Sequence, residues 1–179
     1  MEEKIRKNNY SSTRSIILRM CLVGVFSSLC FVCTSFLQIP YAGGQGYFNV
    51  GDCISLLISL LIGPIDGMLV GMLGGSLSDI FLGSAYFVPW TLLAKGLMCL
   101  VSGILFKVLS KRKTIRFIAP FLGSSIMVLV YLCSYIYLYG YGSLLSSCFD
   151  LLQALLASIV SIVIYLPLEK GRIKQRMNL

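Results

Sequence analysis

Histidine is absent from this chain of 179 residues, acidic side chains number only seven, and tryptophan occurs once. Without histidine there is neither the usual ligand of a catalytic zinc nor the usual base at neutral pH. The sequence contains no G-x-x-x-x-G-K-[ST], so the chain is not expected to hydrolyse ATP itself. It also lacks a nucleophile elbow, an HExxH and a Ser/His pairing. No catalytic residue, metal site or cofactor is therefore expected. Charged residues make up 12% of the chain, against about a quarter in a soluble domain. Hydrophobic residues make up 57%, and the mean hydropathy is +0.87. A single domain of this length cannot hide so much apolar surface in a water-soluble core, so lipid is the expected solvent.

The net charge of +8 comes without a base-stacking or groove-reading module, so nucleic acid is not the expected partner. The basic residues border apolar segments, where anionic headgroups explain them better. The seven cysteines, at 21, 30, 33, 53, 99, 133 and 148, mostly lie in apolar stretches and read as small hydrophobes. Cys30 and Cys33 form a CxxC, but inside an apolar helix and without a second pair, which argues against redox or metal chemistry. The N-terminus MEEKIRKNNYSSTRS is polar, and the apolar run after it is long enough to span, so no cleavable signal is expected.

A spanning helix needs about 20 mostly apolar residues. The first candidate covers 16–37 and ends before Pro40 and a glycine-rich stretch. The next block is too long for one helix and is broken by Gly63-Pro64, which divides it into 52–62 and 65–82. Helix 52–62 is short, so it must tilt or sit among neighbours. Further helices are predicted at 88–109, 118–139 and 145–166, with 1–14 and 168–179 as tails. The fold class is thus an all-α membrane protein with six transmembrane helices in one domain. Apart from Lys95, Lys and Arg fall near the N-terminus, in the 110–117 loop with Lys107 at its edge, and in the tail, whereas 39–50, 83–87 and 140–144 contain none. Six crossings put all the basic regions on one side, so both termini are expected to be cytoplasmic.

Charges inside apolar segments cost several kcal/mol unless they find a partner or a polar cavity, so they mark candidate function. Asp52, Asp79, Lys95 and Asp150 come from four different helices and fall toward the outer ends of those helices. Asp66 lies beside the inner Gly63-Pro64 turn and reads as a first-turn acid favoured by the helix dipole. Phe48 and Asn49 precede Asp52, and Tyr86 and Trp90 precede Lys95. Flat rings with Asn, Asp and Lys suit a small aromatic ligand. The candidate ligand residues are therefore Phe48, Asn49, Asp52, Asp79, Tyr86, Trp90, Lys95 and Asp150. Two other readings stay open: Trp90 as an interfacial belt residue, and Lys95 as a structural partner of an aspartate. Gly67, Gly71 and Gly75 recur every four residues and allow close helix approach. Gly24 and Ser28 form a second small pair, suited to internal packing or to another membrane subunit.

From Gln38 to Phe106 the text IPYAGGQGYFNVGD, then LIGPIDGMLVGMLGGSLSD, then GSAYFVPWTLLAKGLMCLVSGILF resembles the S components of energy-coupling factor (ECF) vitamin transporters, closest to the riboflavin type. The family pattern runs as IP, a glycine-rich loop, GYxNxGD, GPxxGxxxGxxGSxxxD and TLxxKGxxxGxxxG. Asn49, Asp52, Asp79 and Lys95 fall on it. Met98 and Cys99 depart from it, standing where the family often has an acidic or amide residue and a glycine. The resemblance implies a substrate-binding subunit of an ABC-type transporter in the bacterial plasma membrane. Such a subunit captures a water-soluble vitamin or precursor (pyridoxine-, hydroxymethylpyrimidine- or riboflavin-like) at the outer face. Its implied partners are a transmembrane coupling subunit, facing Gly24 and Ser28, and two cytoplasmic ATPases. Alternatives on the residues alone are a self-sufficient ion-coupled carrier and a small membrane enzyme.

Overall fold

The computed structural model describes residues 2–40, 47–112, 114–140 and 144–171, with side chains from residue 13 onward except in 38–48 and 144–146. The described residues form six α-helices and one short hairpin. Helix α1 covers Glu2–Phe36; strands β1 (Gln38–Pro40) and β2 (Tyr47–Asn49) follow; then come α2 (Gly51–Leu61), α3 (Pro64–Phe81), α4 (Val88–Val108), α5 (Ala119–Tyr139) and α6 (Leu144–Lys170). Four helical stretches, Thr13–Phe36, Ala85–Lys111, Ile115–Tyr139 and Ser147–Lys170, are long and apolar enough to cross a membrane. The protein is an all-α, multi-pass membrane protein.

Proline sets several of these boundaries. Pro64, Pro89 and Pro120 each lie in the first turn of a helix. There the missing N–H is one that would lack an intrahelical partner anyway. Gly83 and Gly140 follow α3 and α5 with φ of 77° and 74°, a backbone region that costs glycine nothing. Pro167 does not stop α6 at residue 166, as the sequence suggests. The helix runs on to Lys170, and Gly171 N–H still donates to Pro167 O at 3.0 Å. Tertiary anchors hold this last turn. Tyr165 packs edge-on against Phe106, with ring centroids 5.1 Å apart. Glu169 accepts two hydrogen bonds from Arg116 Nη2, at 2.7 and 2.9 Å.

The segment between α1 and α2, expected as loop alone, contains the antiparallel pair β1–β2, with Gln38 opposite Asn49 and Ile39 opposite Phe48. Helix α2 is only 11 residues long, about 16 Å at 1.5 Å per residue. It is shorter than the other helices and, as its length requires, it lies among α1, α3, α4 and α6 at the centre of the bundle. One buried cluster joins Cys53 and Leu56 of α2 to Met98 and Cys99 of α4, Met127 of α5 and Ala157 of α6. Another joins Cys30 of α1, Ile58 of α2 and Val70 of α3. Cys30, Cys33, Cys53 and Cys99 are buried free thiols. Glycine permits the closest helix approaches. A Cβ on Gly67 would lie 2.5 Å from the Ser59 Cα of α2, and one on Gly123 would lie 2.5 Å from the Met98 carbonyl oxygen of α4. Large apolar side chains such as Leu73, Val108, Leu129 and Val163 point outward. Bare hydrocarbon on this scale is a liability in water and a match for lipid.

Candidate ligand site

The N-terminal end of α2 carries the most deeply buried charge in the bundle. Asp52 is 0% exposed and Lys95, reaching across from α4, is 2% exposed. The Lys95 ammonium donates to Asp52 Oδ1, forming an ion pair sealed from solvent. Two such ions lose far more hydration than a surface pair, so the arrangement survives only with close geometry and further hydrogen bonds. Gln153 of α6 supplies one, donating from Nε2 to Asp52 Oδ2 at 2.6 Å. The Gln153 Oε1 in turn accepts the Asn49 backbone N–H at 3.1 Å. Asn49 Oδ1 accepts from Thr34 Oγ1 at 2.8 Å and from Gly51 N–H at 2.9 Å. The end of the hairpin, α1, α2, α4 and α6 are thereby tied into one polar network.

Two glycines make this geometry possible. At Gly51 a Cβ would sit 2.2 Å from Thr34 Oγ1, so no larger residue fits beside Asp52. At Gly75 of α3 a Cβ would meet Lys95 Cδ at 2.5 Å and Cε at 2.8 Å. Part of the α3 glycine series is thus the bed on which the lysine stem lies.

Asp79 and Asp150 flank the pair. Both lie close enough to Asp52 and Lys95 for direct electrostatic interaction. The Thr91 hydroxyl lies beside the Asp79 carboxyl, and Thr91 Oγ1 is 3.4 Å from the Tyr131 hydroxyl. Tyr131 stacks on Tyr135 with centroids 6.2 Å apart, and the Tyr135 hydroxyl lies beside Asp150. One oxygen of each acid, Asp79 Oδ2 and Asp150 Oδ2, is buried with no hydrogen-bond partner among the described residues. Asp52 has a partner at each oxygen, so the spare hydrogen-bonding capacity among the described residues of the site lies in the two flanking carboxyls and in the Lys95 ammonium, which carries three N–H donors.

Of the residues expected from sequence, the structure brings together Asn49, Asp52 and Lys95, with Asp79 and Asp150 beside them. Tyr86 and Trp90 face elsewhere. Tyr86 is 55% exposed, with its hydroxyl 3.0 Å from that of Tyr139. The Trp90 ring packs 5.9 Å from the exposed Tyr137. These rings form an aromatic surface on α5, α4 and the turn leading into α4, consistent with an interfacial belt. The backbone of Phe48 lies in β2, and its side chain falls outside the described residues. The sequence did not single out Gln153, Thr34 or Thr91, and it suggested an interfacial belt for the series Tyr131 to Tyr141, of which Tyr131 and Tyr135 lie beside the site. Gln153 carried a signal, being the one side-chain amide of α6 and one turn from Asp150.

At the opposite end of the bundle, Asp66 is 3.6 Å from Arg19, away from the Asp52 network. Gly24 and Ser28 of α1 lie on an exposed face. A Cβ on Gly24 would have nothing within 4 Å, and Ser28 Oγ donates back to Gly24 O at 3.0 Å.

Fold and site together define a multi-pass membrane protein with a buried, ion-paired polar centre near one end of its helix bundle. The family model for the S component of the ECF-type riboflavin transporter matches residues 15–172, and the chain belongs to that family. Comparison with curated proteins and with solved structures gave no match.

Proposed function

We propose that this chain is the substrate-capturing subunit of an ATP-driven vitamin importer, taking a small heteroaromatic vitamin or precursor from the outer face. Pyridoxine-, hydroxymethylpyrimidine- and riboflavin-like compounds are the ligands this reading admits. One observation carries it: a buried Asp52–Lys95 pair, flanked by two acids that each keep one buried oxygen without a partner among the described residues. A purely structural ion pair needs no such neighbours, whereas a binding site keeps hydrogen-bonding capacity in reserve. The Asp52 network fixes the hairpin end against α6.

The chain has no phosphate-binding loop, so ATP must act through partner ATPases. The face around Gly24 and Ser28 suits a transmembrane coupling subunit, because small residues allow close backbone approach. The low-Lys/Arg end faces outward on this reading, with both termini in the cytoplasm. Uptake by proteoliposomes tests the proposal. The chain reconstituted with a coupling subunit and two ATPases is expected to accumulate radiolabelled vitamin only when ATP is enclosed with the ATPases. Uptake by the chain alone, driven by an ion gradient, would overturn the reading.

A further inference from the structure

At the end of the bundle opposite Asp52, the chain passes from α4 to α5 through a strongly basic connection. Between Asp79 and Asp150 the sequence has no Asp or Glu, yet Lys107, Lys111, Arg112, Lys113 and Arg116 fall within 107–116. The connection contains two short 3-10 turns, Leu109–Lys111 and Ile115–Ile118, which pack on each other and on α4. Arg116 pins it down. Its backbone N–H donates to Arg112 O at 3.2 Å. Its guanidinium carbon lies 5.0 Å from the ring centres of Phe106 and Phe117 and 5.8 Å from that of Tyr165. Glu169 of α6 accepts two of its hydrogen bonds. This one cation is thus neutralised and walled in by rings, and it holds the connection against α4 and α6.

The neighbouring cations have no such partner. Lys111 and Arg112 are exposed, as is Lys170, the residue after Glu169 on α6. None of the three makes an ion pair among the described residues. Exposed Lys and Arg keep their charge at neutral pH. Exposed aliphatic side chains stand in the same connection: Val108 is 69% exposed and Ile118 50%, with Ile115 also exposed. Free phosphate or an acidic protein surface would answer the cations alone. A molecule with an anionic head and hydrocarbon tails answers both, and basic patches beside membrane helices suit such lipids. We infer that this rim is a binding site for an anionic phospholipid. Lys111 and Arg112, with Lys170, hold the phosphate, and an acyl chain lies along Val108, Ile115 and Ile118. Helix α1 packs mainly on α2 and α3, and α5 on α4 and α6. A coupling subunit seated on the Gly24 face therefore leaves the rim to lipid. The inference rests on the membrane class of the protein and not on the vitamin site; in the orientation proposed above, the lipid belongs to the inner leaflet.

The test is the lipid retained by the full chain from nanodiscs of equal parts phosphatidylglycerol and phosphatidylcholine, read by native mass spectrometry. Phosphatidylglycerol is expected to be enriched on the native chain. Lys111→Gln/Arg112→Gln changes two exposed, unpaired side chains and should unfold at the native temperature. At about fivefold for each cation, it is expected to cut the enrichment at least about tenfold. Lys7→Gln/Arg14→Gln removes the same charge from α1 and is expected to leave the enrichment as it was. No enrichment on the native chain overturns the inference. Equal enrichment in all three proteins, or equal loss in both variants, also overturns it, because the attraction is then diffuse surface charge. A native chain without enrichment, whose Lys111→Gln/Arg112→Gln variant no longer assembles with the coupling subunit, reassigns the rim to a protein partner.

Discussion

Removing one member of the Asp52–Lys95 pair exposes how the site is held. Lys95→Met leaves the Asp52 carboxylate fully buried with Gln153 as its remaining side-chain partner. Breaking a buried pair in this way costs about 3–5 kcal/mol. For a chain of this length, about 2–4 °C of melting temperature accompanies each kcal/mol, so a fall of about 6–20 °C is expected. Asp52→Asn strands the Lys95 ammonium and is expected to cost a similar amount, since the new amide still accepts from Gln153 but carries no charge. The double variant removes both charges and keeps the Gln153 hydrogen bond. It is expected to be less destabilised than the sum of the singles by at least about 2 kcal/mol, a coupling energy of the size found for contacting groups. The assay is thermal unfolding in nanodiscs, with vitamin titration run beside it. Lys95→Met is expected to weaken binding at least tenfold, about 1.4 kcal/mol. The double variant should recover stability without recovering affinity. Additive stabilities within about 0.5 kcal/mol would refute the buried-pair argument. Native affinity in the double variant would make the pair a bundle clasp with no part in binding.

Gly24→Leu adds a side chain where nothing within the protein lies near, so stability and ligand affinity should hold while ATP-dependent uptake is lost; uptake at the native rate would move the coupling surface elsewhere. Gly67→Ala drives a Cβ into the Ser59 backbone and should destabilise the bundle by about 1–3 kcal/mol, read as a lower unfolding temperature; an unchanged temperature would mean α2 and α3 separate easily. Trp90→Phe should change vitamin affinity by less than about threefold, because the ring packs on Tyr137 and not on the Asp52 network; a larger loss in the titration would return Trp90 to the site.

The all-α membrane class was legible because apolar runs of spanning length are hard to mistake, and because Gly63-Pro64 breaks the one run that is too long. The hairpin was not legible: strands of three residues are too short to show an alternating pattern. The continuation of α6 past Pro167 depends on Tyr165 and Glu169 reaching partners far away in sequence, which a local proline rule does not include. In the site, Asp52 and Lys95 stood out because charge is rare in apolar segments. Thr34, Thr91 and Gln153 did not, since neutral polar side chains are ordinary in membrane helices. Trp90 illustrates a phase error. Thr91 is four positions before Lys95 and shares its face, whereas Trp90 is five before and lies well round a helix with about 3.6 residues per turn.

A small ligand held at the Asp52–Lys95 end of the bundle is the central claim. Mass spectrometry of the small molecules released on denaturing the purified protein tests this most directly. A heteroaromatic vitamin or precursor, present in near-equal amount to the native protein and absent from the Lys95→Met/Asp52→Asn variant, is the predicted result. The same compound retained by that variant, or no compound above background in the native protein, would contradict it.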